Sequence, residues 1–135
     1  MHGCPLVSIH GIGADIVSIE RIRLALARHE DRFARKVLSD AELARYAALA
    51  GGAAYVAKRF AAKEAFFKAL GEAPSSANTW HQLSVVNDAA GRPSLVCGAL
   101  LAALLAARKI SSTHVSLSDE REHAVAFVIL EKENQ

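Results

Sequence analysis

The sequence predicts an α+β fold for a chain of 135 residues, a length typical of one domain. Three observations support this class. A Val- and Ile-rich run near the N-terminus is typical of a strand, and residues 54–70 carry apolar side chains at helical spacing. Near the C-terminus, residues 114–118 and 124–130 are typical of strands on either side of a charged turn, which indicates an antiparallel sheet.

The first strand is predicted over residues 6–14, and Gly11 and Gly13 interrupt it. Glycine inside a strand indicates a close approach by another backbone or by a ligand. Ser18 follows and can cap a helix over residues 19–28, in which Ile and Leu side chains recur on one face. We therefore expect a strand followed closely by an amphipathic helix.

Two further helices have recognisable ends. Ser39 and Glu42 have the spacing of a capping box, which predicts a helix from there to about residue 49. The helix over residues 54–70 ends at Gly71, a residue typical of a C-cap. A long helix is therefore expected in the middle of the chain, with a shorter one before it.

The second half of the chain begins with a predicted loop over residues 72–81, which contain Pro, Ser and Asn. Residues 83–86 and 94–97 are predicted as partner strands around a turn over residues 87–93. Residues 98–109, rich in Ala and Leu, are predicted as a helix.

The charge is distributed unevenly. The net charge of +2 excludes a histone-like polycation. Residues 20–36 and residues 58–68 each carry +3, whereas residues 119–133 carry −3. Two basic zones and an acidic tail therefore need an explanation that the total charge does not supply.

Membrane and disulfide features are not indicated. The longest uncharged apolar stretch, residues 96–107, is too short to span a bilayer. Cys4 and Cys97 are far apart and lack the spacing of a zinc site or a disulfide framework. We expect two reduced thiols in a cytoplasmic protein.

Three residues are candidates for chemistry, each with an ordinary structural alternative. Asp15 precedes a helix, where a carboxylate can be a metal ligand or a surface acid. Glu64 and Lys68 share one face of the long helix with the small residues Ala57 and Ala61. That face could lie close to a ligand, or Glu64 and Lys68 could form an exposed i,i+4 pair. Spacing alone leaves both possibilities open.

The first basic zone contains Arg21, Arg28 and Arg32, which would form one stripe if their helix reached residue 32. Such a stripe suits an acidic protein or a nucleic acid, and it can also be a solvated face. Phe33 is the only aromatic residue between positions 20 and 36, which argues against stacking on single-stranded nucleic acid.

The second basic zone places Arg59, Lys63 and Lys68 on the same helix as Glu64. A carboxylate among cations indicates a divalent metal with phosphate groups, because Mg²⁺ is usually held by one or two carboxylates plus phosphates and water. Arg and Lys would bind the remaining phosphate oxygens. The alternative is a non-enzymatic basic adaptor for an acidic protein or nucleic acid, which would not need Asp15 and Glu64 together.

Four segments together resemble the holo-(acyl-carrier-protein) synthase family, the small bacterial 4'-phosphopantetheinyl transferases. Their order and spacing match over almost the whole chain, and the second is highly specific. The segments are residues 11–17 (GIGADIV), 59–71 (RFAAKEAFFKALG), 87–93 (NDAAGRP) and 114–119 (HVSLSD).

The resemblance implies a 4'-phosphopantetheinyl transferase fold, with an antiparallel sheet, a long packed helix, and a homotrimer whose active sites lie at subunit interfaces. It implies transfer of 4'-phosphopantetheine from coenzyme A to a serine of apo-acyl carrier protein, with release of adenosine 3',5'-bisphosphate. This Mg²⁺-dependent reaction supports fatty acid biosynthesis. Neither a nucleic acid nor a membrane is implied as a partner.

The resemblance also implies site residues. Asp15 and Glu64 would be metal ligands, and they would act in catalysis together with Lys68, while the identity of the general base stays open. The implied coenzyme A contacts are Arg59, Lys63, Lys68, Gly71, Pro93, Ser118 and Asp119. The implied carrier-protein contacts are Arg21, Arg28 and Arg32.

The chain departs from the family pattern at two places. Many relatives carry His where this chain has Asp119, and Glu72-Ala73-Pro74 replaces the usual Thr-Gly-Ile type of run after Gly71. The phosphate contact that such a His would make is therefore not carried over to Asp119, and no contact is carried over to the loop after Gly71.

Overall fold

The computed structural model describes residues 6–29, 31–75 and 79–134. Cys4 lies outside the described residues. The helices and strands in chain order are β1 (Val7–Ser18), α1 (Ile19–His29), α2 (Asp31–Val37), α3 (Asp40–Ala47), α4 (Ala53–Leu70), a 3₁₀ turn (Trp80–Gln82), β2 (Leu83–Asn87), β3 (Pro93–Cys97), α5 (Ala99–Ala107), β4 (Ile110–Asp119) and β5 (His123–Glu133). The α+β class is confirmed.

Two antiparallel sheets organise the molecule. The larger sheet has the order β1-β5-β4, so the last strand of the chain is its central strand. β2 and β3 form a separate hairpin. Helix α4 packs across the larger sheet, against β1 and β5, and its buried side chains form the centre of the core.

Gly11 and Gly13 allow α4 to lie directly on β1. A Cβ at Gly11 would come 2.0 Å from the carbonyl oxygen of Ala69, and one at Gly13 would come 2.0 Å from that of Ala65. The close approach predicted at these glycines is therefore by another backbone. Of the two possibilities left open for the face of the long helix, a ligand-facing surface does not apply to Ala57 and Ala61, since both are fully buried in the core.

The strand boundaries differ from the sequence prediction for physical reasons. β1 continues past residue 14 to Ser18, because its pairing with β5 extends as far as His123. Asp15 therefore lies inside the strand, opposite Ala126, instead of after its end. Helix α5 ends at Ala107, and Lys109 adopts a left-handed conformation (φ 61°) that leads into a longer β4.

The outer face of the larger sheet is apolar and exposed. Its side chains include Ile12, Ile16, Val125 and Phe127, which are 57, 63, 39 and 41% exposed. Ile16 pairs with Val125 across β1 and β5, so the patch is continuous over two strands. Within the described ranges, no helix has both the length and the apolar character needed to cross a membrane.

Candidate functional site

Asp15 and Lys68 meet where α4 crosses β1. The Lys68 Nζ donates to Asp15 Oδ1 at 3.0 Å and to the carbonyl oxygen of Ala14 at 3.0 Å. Gly11, Gly13 and Asp15 alternate along β1 and so share a face. The glycines that let α4 approach this face therefore also bring Asp15 within reach of the helix.

Glu64 lies near this pair, one helical turn before Lys68. Burial raises the pKa of the Glu64 carboxyl, and the negative charge of Asp15 raises it further, while Lys68 opposes the shift. Two carboxylates thus lie near one ammonium group, which contacts only Asp15 of the two in the described part of the chain. An added cation would be attracted to this site because it would relieve the repulsion between them.

Glu64 lies between two cavities. One has a volume of about 350 Å³ and is lined by residues that include Asp15, Arg21, Phe33 and Glu64. The other has a volume of about 470 Å³ and is lined by residues that include Glu64, Lys68 and Gly71. The carboxylate can therefore reach a ligand in either space.

The donor set fits Mg²⁺. Within residues 6–29, 31–75 and 79–134, no group of three or more His, Cys, Asp or Glu side chains could hold a metal by itself. Two carboxylates are nevertheless enough for Mg²⁺, which completes its octahedron with waters and substrate phosphates. Asp15 and Glu64 would hold the ion.

Lys63 occupies a different place from its neighbour Glu64. Its ammonium is fully buried and donates to Glu42 Oε1 at 2.6 Å, to the carbonyl of Val37 at 2.8 Å and to that of Trp80 at 3.0 Å. An ammonium has three N–H donors, so all of them are used. Lys63 has no donor left for the coenzyme A contact that the resemblance implied.

The partner of Lys63 is the capping-box glutamate. Ser39 donates its backbone N–H to Glu42 Oε1 at 3.0 Å, which confirms the predicted capping box. The other carboxylate oxygen accepts from the backbone N–H of Val85 at 2.7 Å. Burial lowers the pKa of the Lys63 ammonium, and the charge of Glu42 opposes that shift. The pair therefore joins α3, α4 and β2 inside the core.

Arg59 borders a third cavity. Its guanidinium lies 3.8 Å from the centroid of the Tyr55 ring and donates to Asn87 Oδ1 at 2.9 Å. Its Nε–H is enclosed and has no acceptor within the described part of the chain. Arg45 also lines this cavity of about 410 Å³. A buried donor normally has a partner, so this one could be satisfied by an oxygen of an anionic ligand.

Arg45, Tyr55 and Asn87 line this cavity but are not among the site residues predicted from the sequence. Only Asn87 lay in a segment that carried the family resemblance. Arg45 lies in the last turn of α3 and Tyr55 near the start of α4. Their cavity includes residues from α3, α4 and β2, which spacing within one helix does not reveal.

The remaining predicted coenzyme A contacts are dispersed. Gly71 is the left-handed C-cap of α4 and lines the cavity beside Lys68. Pro93 begins β3, while Ser118 and Asp119 end β4. Asp119 lies 3.5 Å from Lys58 in an ion pair. In the described part of the chain, Pro93, Ser118 and Asp119 are not among the residues lining either cavity at Glu64.

The arginine stripe is divided between two helices. α1 ends at His29, so the condition for a single stripe reaching Arg32 is not met. Arg21 lines the same cavity as Asp15 and Glu64. Arg23, two residues later, instead forms a two-point ion pair with Glu20. Of the three predicted carrier-protein contacts, Arg21 is the one next to the carboxylates.

Comparison with known proteins identifies the family. The family model described as "4'-phosphopantetheinyl transferase superfamily" matches residues 11–128. The chain belongs to this superfamily. It is therefore a phosphopantetheinyl transferase, and the non-enzymatic adaptor is no longer a viable alternative.

Individual relatives agree with this assignment. The chain is 48% identical over 124 residues to the holo-(acyl-carrier-protein) synthase of Aromatoleum aromaticum, with 92% of this chain and 98% of the relative covered. The relative from Thiobacillus denitrificans bears the same name and is 45% identical, with 92% and 95% covered.

Solved structures give the same picture. The crystal structure of the Neisseria meningitidis holo-(acyl-carrier-protein) synthase matches with a TM-score of 0.89 and 38% identity, over 93% of this chain and all of that one. The Bacillus anthracis synthase, solved in complex with CoA (3',5'-ADP), matches with a TM-score of 0.77 and 34% identity, over 93% and 98%.

Proposed function

We propose that this transferase moves 4'-phosphopantetheine from coenzyme A to a serine of apo-acyl carrier protein, in a Mg²⁺-dependent reaction that releases adenosine 3',5'-bisphosphate and supports fatty acid biosynthesis. The observation that carries the proposal is the meeting of Asp15, Glu64 and Lys68 between two cavities. The relative solved with CoA (3',5'-ADP) has the same fold, which supports coenzyme A as the donor.

The reaction joins the serine oxygen to the phosphorus that carries pantetheine and breaks its bond to the bridging oxygen of the pyrophosphate. Bound Mg²⁺ would neutralise the charge that develops on the pyrophosphate as this bond breaks. Glu64 is assigned as acceptor of the serine proton, since its carboxylate borders both cavities. Lys68 donates a hydrogen bond or a proton to the leaving oxygen.

The coenzyme A molecule needs anion-binding groups beyond the reacting phosphates. Arg59 offers an enclosed Nε–H donor, and Arg45 lines the same cavity. We assign this cavity to a phosphate of coenzyme A. Gly71 would lie beside the nucleotide, while Pro93 and the Ser118-Asp119 end of β4 would complete the site from a neighbouring protomer.

The carrier protein would approach from the α1 side. Arg21 lines the cavity that holds the two carboxylates, and Arg28 and Arg32 add exposed positive charge on α1 and α2. Such a surface suits an acidic partner, and its attraction would weaken with salt. The serine would then enter beside Glu64.

The exposed apolar sheet face supports the proposed homotrimer. The face of the sheet that points away from α4 carries a contiguous apolar patch, formed by Ile12, Ile16, Val125 and Phe127. Patches of this kind commonly mark protein–protein interfaces.

A direct assay tests the proposal. The protein is incubated with coenzyme A, Mg²⁺ and apo-acyl carrier protein, and the intact mass of the carrier is measured. We expect the mass of the carrier to increase by one phosphopantetheine group. No increase is expected when Mg²⁺ is chelated before the reaction. An unchanged carrier mass with the wild-type protein would refute the proposed reaction.

A further inference from the structure

We propose that Lys68 competes with the metal for Asp15, so that metal binding releases the lysine to contact phosphate. This inference rests on the proposed function, because it takes Asp15 as a metal ligand. It assigns Lys68 two successive positions, first as the counter-ion of Asp15 and then as a phosphate-binding group.

The contacts define the first position. Lys68 Nζ bonds to Asp15 Oδ1 and to the carbonyl oxygen of Ala14, both at 3.0 Å. The ammonium therefore lies against a carboxylate oxygen that a metal would use. An ammonium and a divalent cation repel one another, so each weakens the binding of the other to the same carboxylate.

The two partners differ in their freedom to move. Asp15 is 17% exposed and belongs to a strand paired with β5, whereas the Lys68 side chain is 55% exposed. A lysine side chain has a flexible four-carbon stem. An exposed ion pair also contributes little free energy, so it is easily broken. The lysine is therefore the partner that leaves when a cation arrives.

The second position is within reach of the same side chain. Lys68 lines the cavity that also includes Glu64 and Gly71. A lysine released from Asp15 can turn into this space and donate to a phosphate oxygen. Metal binding would thus free the phosphate-binding lysine, and each ligand would assist the other.

The test measures metal affinity without coenzyme A. Mg²⁺ is titrated calorimetrically into the full-length wild type and into the Lys68→Gln, Lys58→Gln and Asp15→Asn variants. Lys58→Gln is the matched control, because it removes the same charge from α4 at a residue that pairs with Asp119. We expect Lys68→Gln to bind Mg²⁺ about fivefold more tightly than the wild type, a difference of about 1 kcal/mol.

The outcomes separate this inference from the proposed function. If Asp15→Asn loses Mg²⁺ binding and Lys68→Gln binds no more tightly than the wild type, the competition is refuted while the metal site stands. If Asp15→Asn binds Mg²⁺ as the wild type does, the metal site itself fails. An equal gain in Mg²⁺ affinity in Lys58→Gln would show that the effect comes from the change in net charge alone, and it would also refute the competition. Undetectable binding by both the wild type and Lys68→Gln refutes it as well.

Discussion

Two of the lysine–carboxylate pairs on helix α4, Lys63–Glu42 and Lys68–Asp15, differ in almost every physical respect. The Lys63–Glu42 pair is enclosed, with side chains 0 and 2% exposed, and every ammonium proton has an acceptor. The Lys68–Asp15 pair is 55 and 17% exposed and borders a cavity. Lys63–Glu42, the closed pair, fixes α3, α4 and β2 relative to one another. Lys68–Asp15, the open pair, can exchange its partner.

Helical geometry explains how neighbours in sequence reach such different surroundings. Each residue turns the helix by about 100°, so Lys63 and Glu64 point in different directions. Lys63 points towards α2, α3 and the 3₁₀ turn, while Glu64 and Lys68, one turn apart, border the open side. The closed pair therefore supports the helix on which the open site is built.

The largest expected effect comes from removing either carboxylate of the open site, which consists of Asp15, Glu64 and Lys68. Asp15→Ala and Glu64→Ala should each lower the rate of carrier modification about a thousandfold, because a metal site contributes several kcal/mol to the transition state. Both variants should keep a wild-type melting temperature to within a few degrees. Near-wild-type turnover in either variant would overturn the metal assignment.

Breaking the closed pair should act on stability instead. Glu42→Ala leaves the Lys63 ammonium buried without its counter-ion and also removes acceptors for two backbone N–H groups. We expect a loss of about 3–5 kcal/mol in the free energy of unfolding, measured by denaturant titration. Glu20→Ala is the control, since it removes an ion pair that is exposed to solvent, and it should change the free energy of unfolding far less.

A comparable loss in both variants would contradict the closed-pair interpretation. So would full recovery of Glu42→Ala by added Mg²⁺, because the closed pair has no role in metal binding.

The two pairs also mark what the sequence could and could not predict. The capping box, the extent of α4 and the shared face of Glu64 and Lys68 follow from local spacing, and the structure confirms them. The Lys63–Glu42 pair spans 21 residues of sequence, so no local pattern predicts it. Lys63 was therefore grouped with the phosphate-binding cations, although its ammonium is buried in the core.

Asp15 illustrates a different limit. Its approximate place was predictable from Gly11 and Gly13, but its position inside β1 depends on pairing with β5 more than 100 residues later. The enclosed Nε–H of Arg59 likewise depends on β2 packing beside α4. Pairing and packing between distant segments decide these features, and local spacing does not encode them.

Helix α1 also carries one charged residue beside a cavity and one in an ion pair, and we expect a smaller effect from changing them. Arg21 borders the cavity that Asp15 and Glu64 also line, whereas Arg23 is paired with Glu20. Arg21→Ala should weaken binding of apo-acyl carrier protein by about 1–2 kcal/mol, a loss that diminishes as salt screens the attraction. Arg23→Ala should change this affinity much less. Equal losses of carrier-protein affinity in the two variants, or an affinity that does not depend on salt, would refute α1 as the docking surface.

The smallest expected effect is the pH dependence of stability caused by Glu64. Because its pKa is raised in the folded protein, the folded state binds this proton more tightly than the unfolded state does. Stability is therefore lost as the pH rises from the ordinary carboxyl pKa through the raised one. Glu64→Gln removes this loss, so without Mg²⁺ its melting temperature at neutral pH should be slightly higher than that of the wild type, by no more than about 4 °C.

The gain should disappear below about pH 4, where the carboxyl is protonated in both states. A variant less stable than the wild type at neutral pH would show that Glu64 is a satisfied structural acid like Glu42. A more stable but inactive variant would instead show that the open site holds its two carboxylates together at a cost to folding, which a bound cation offsets.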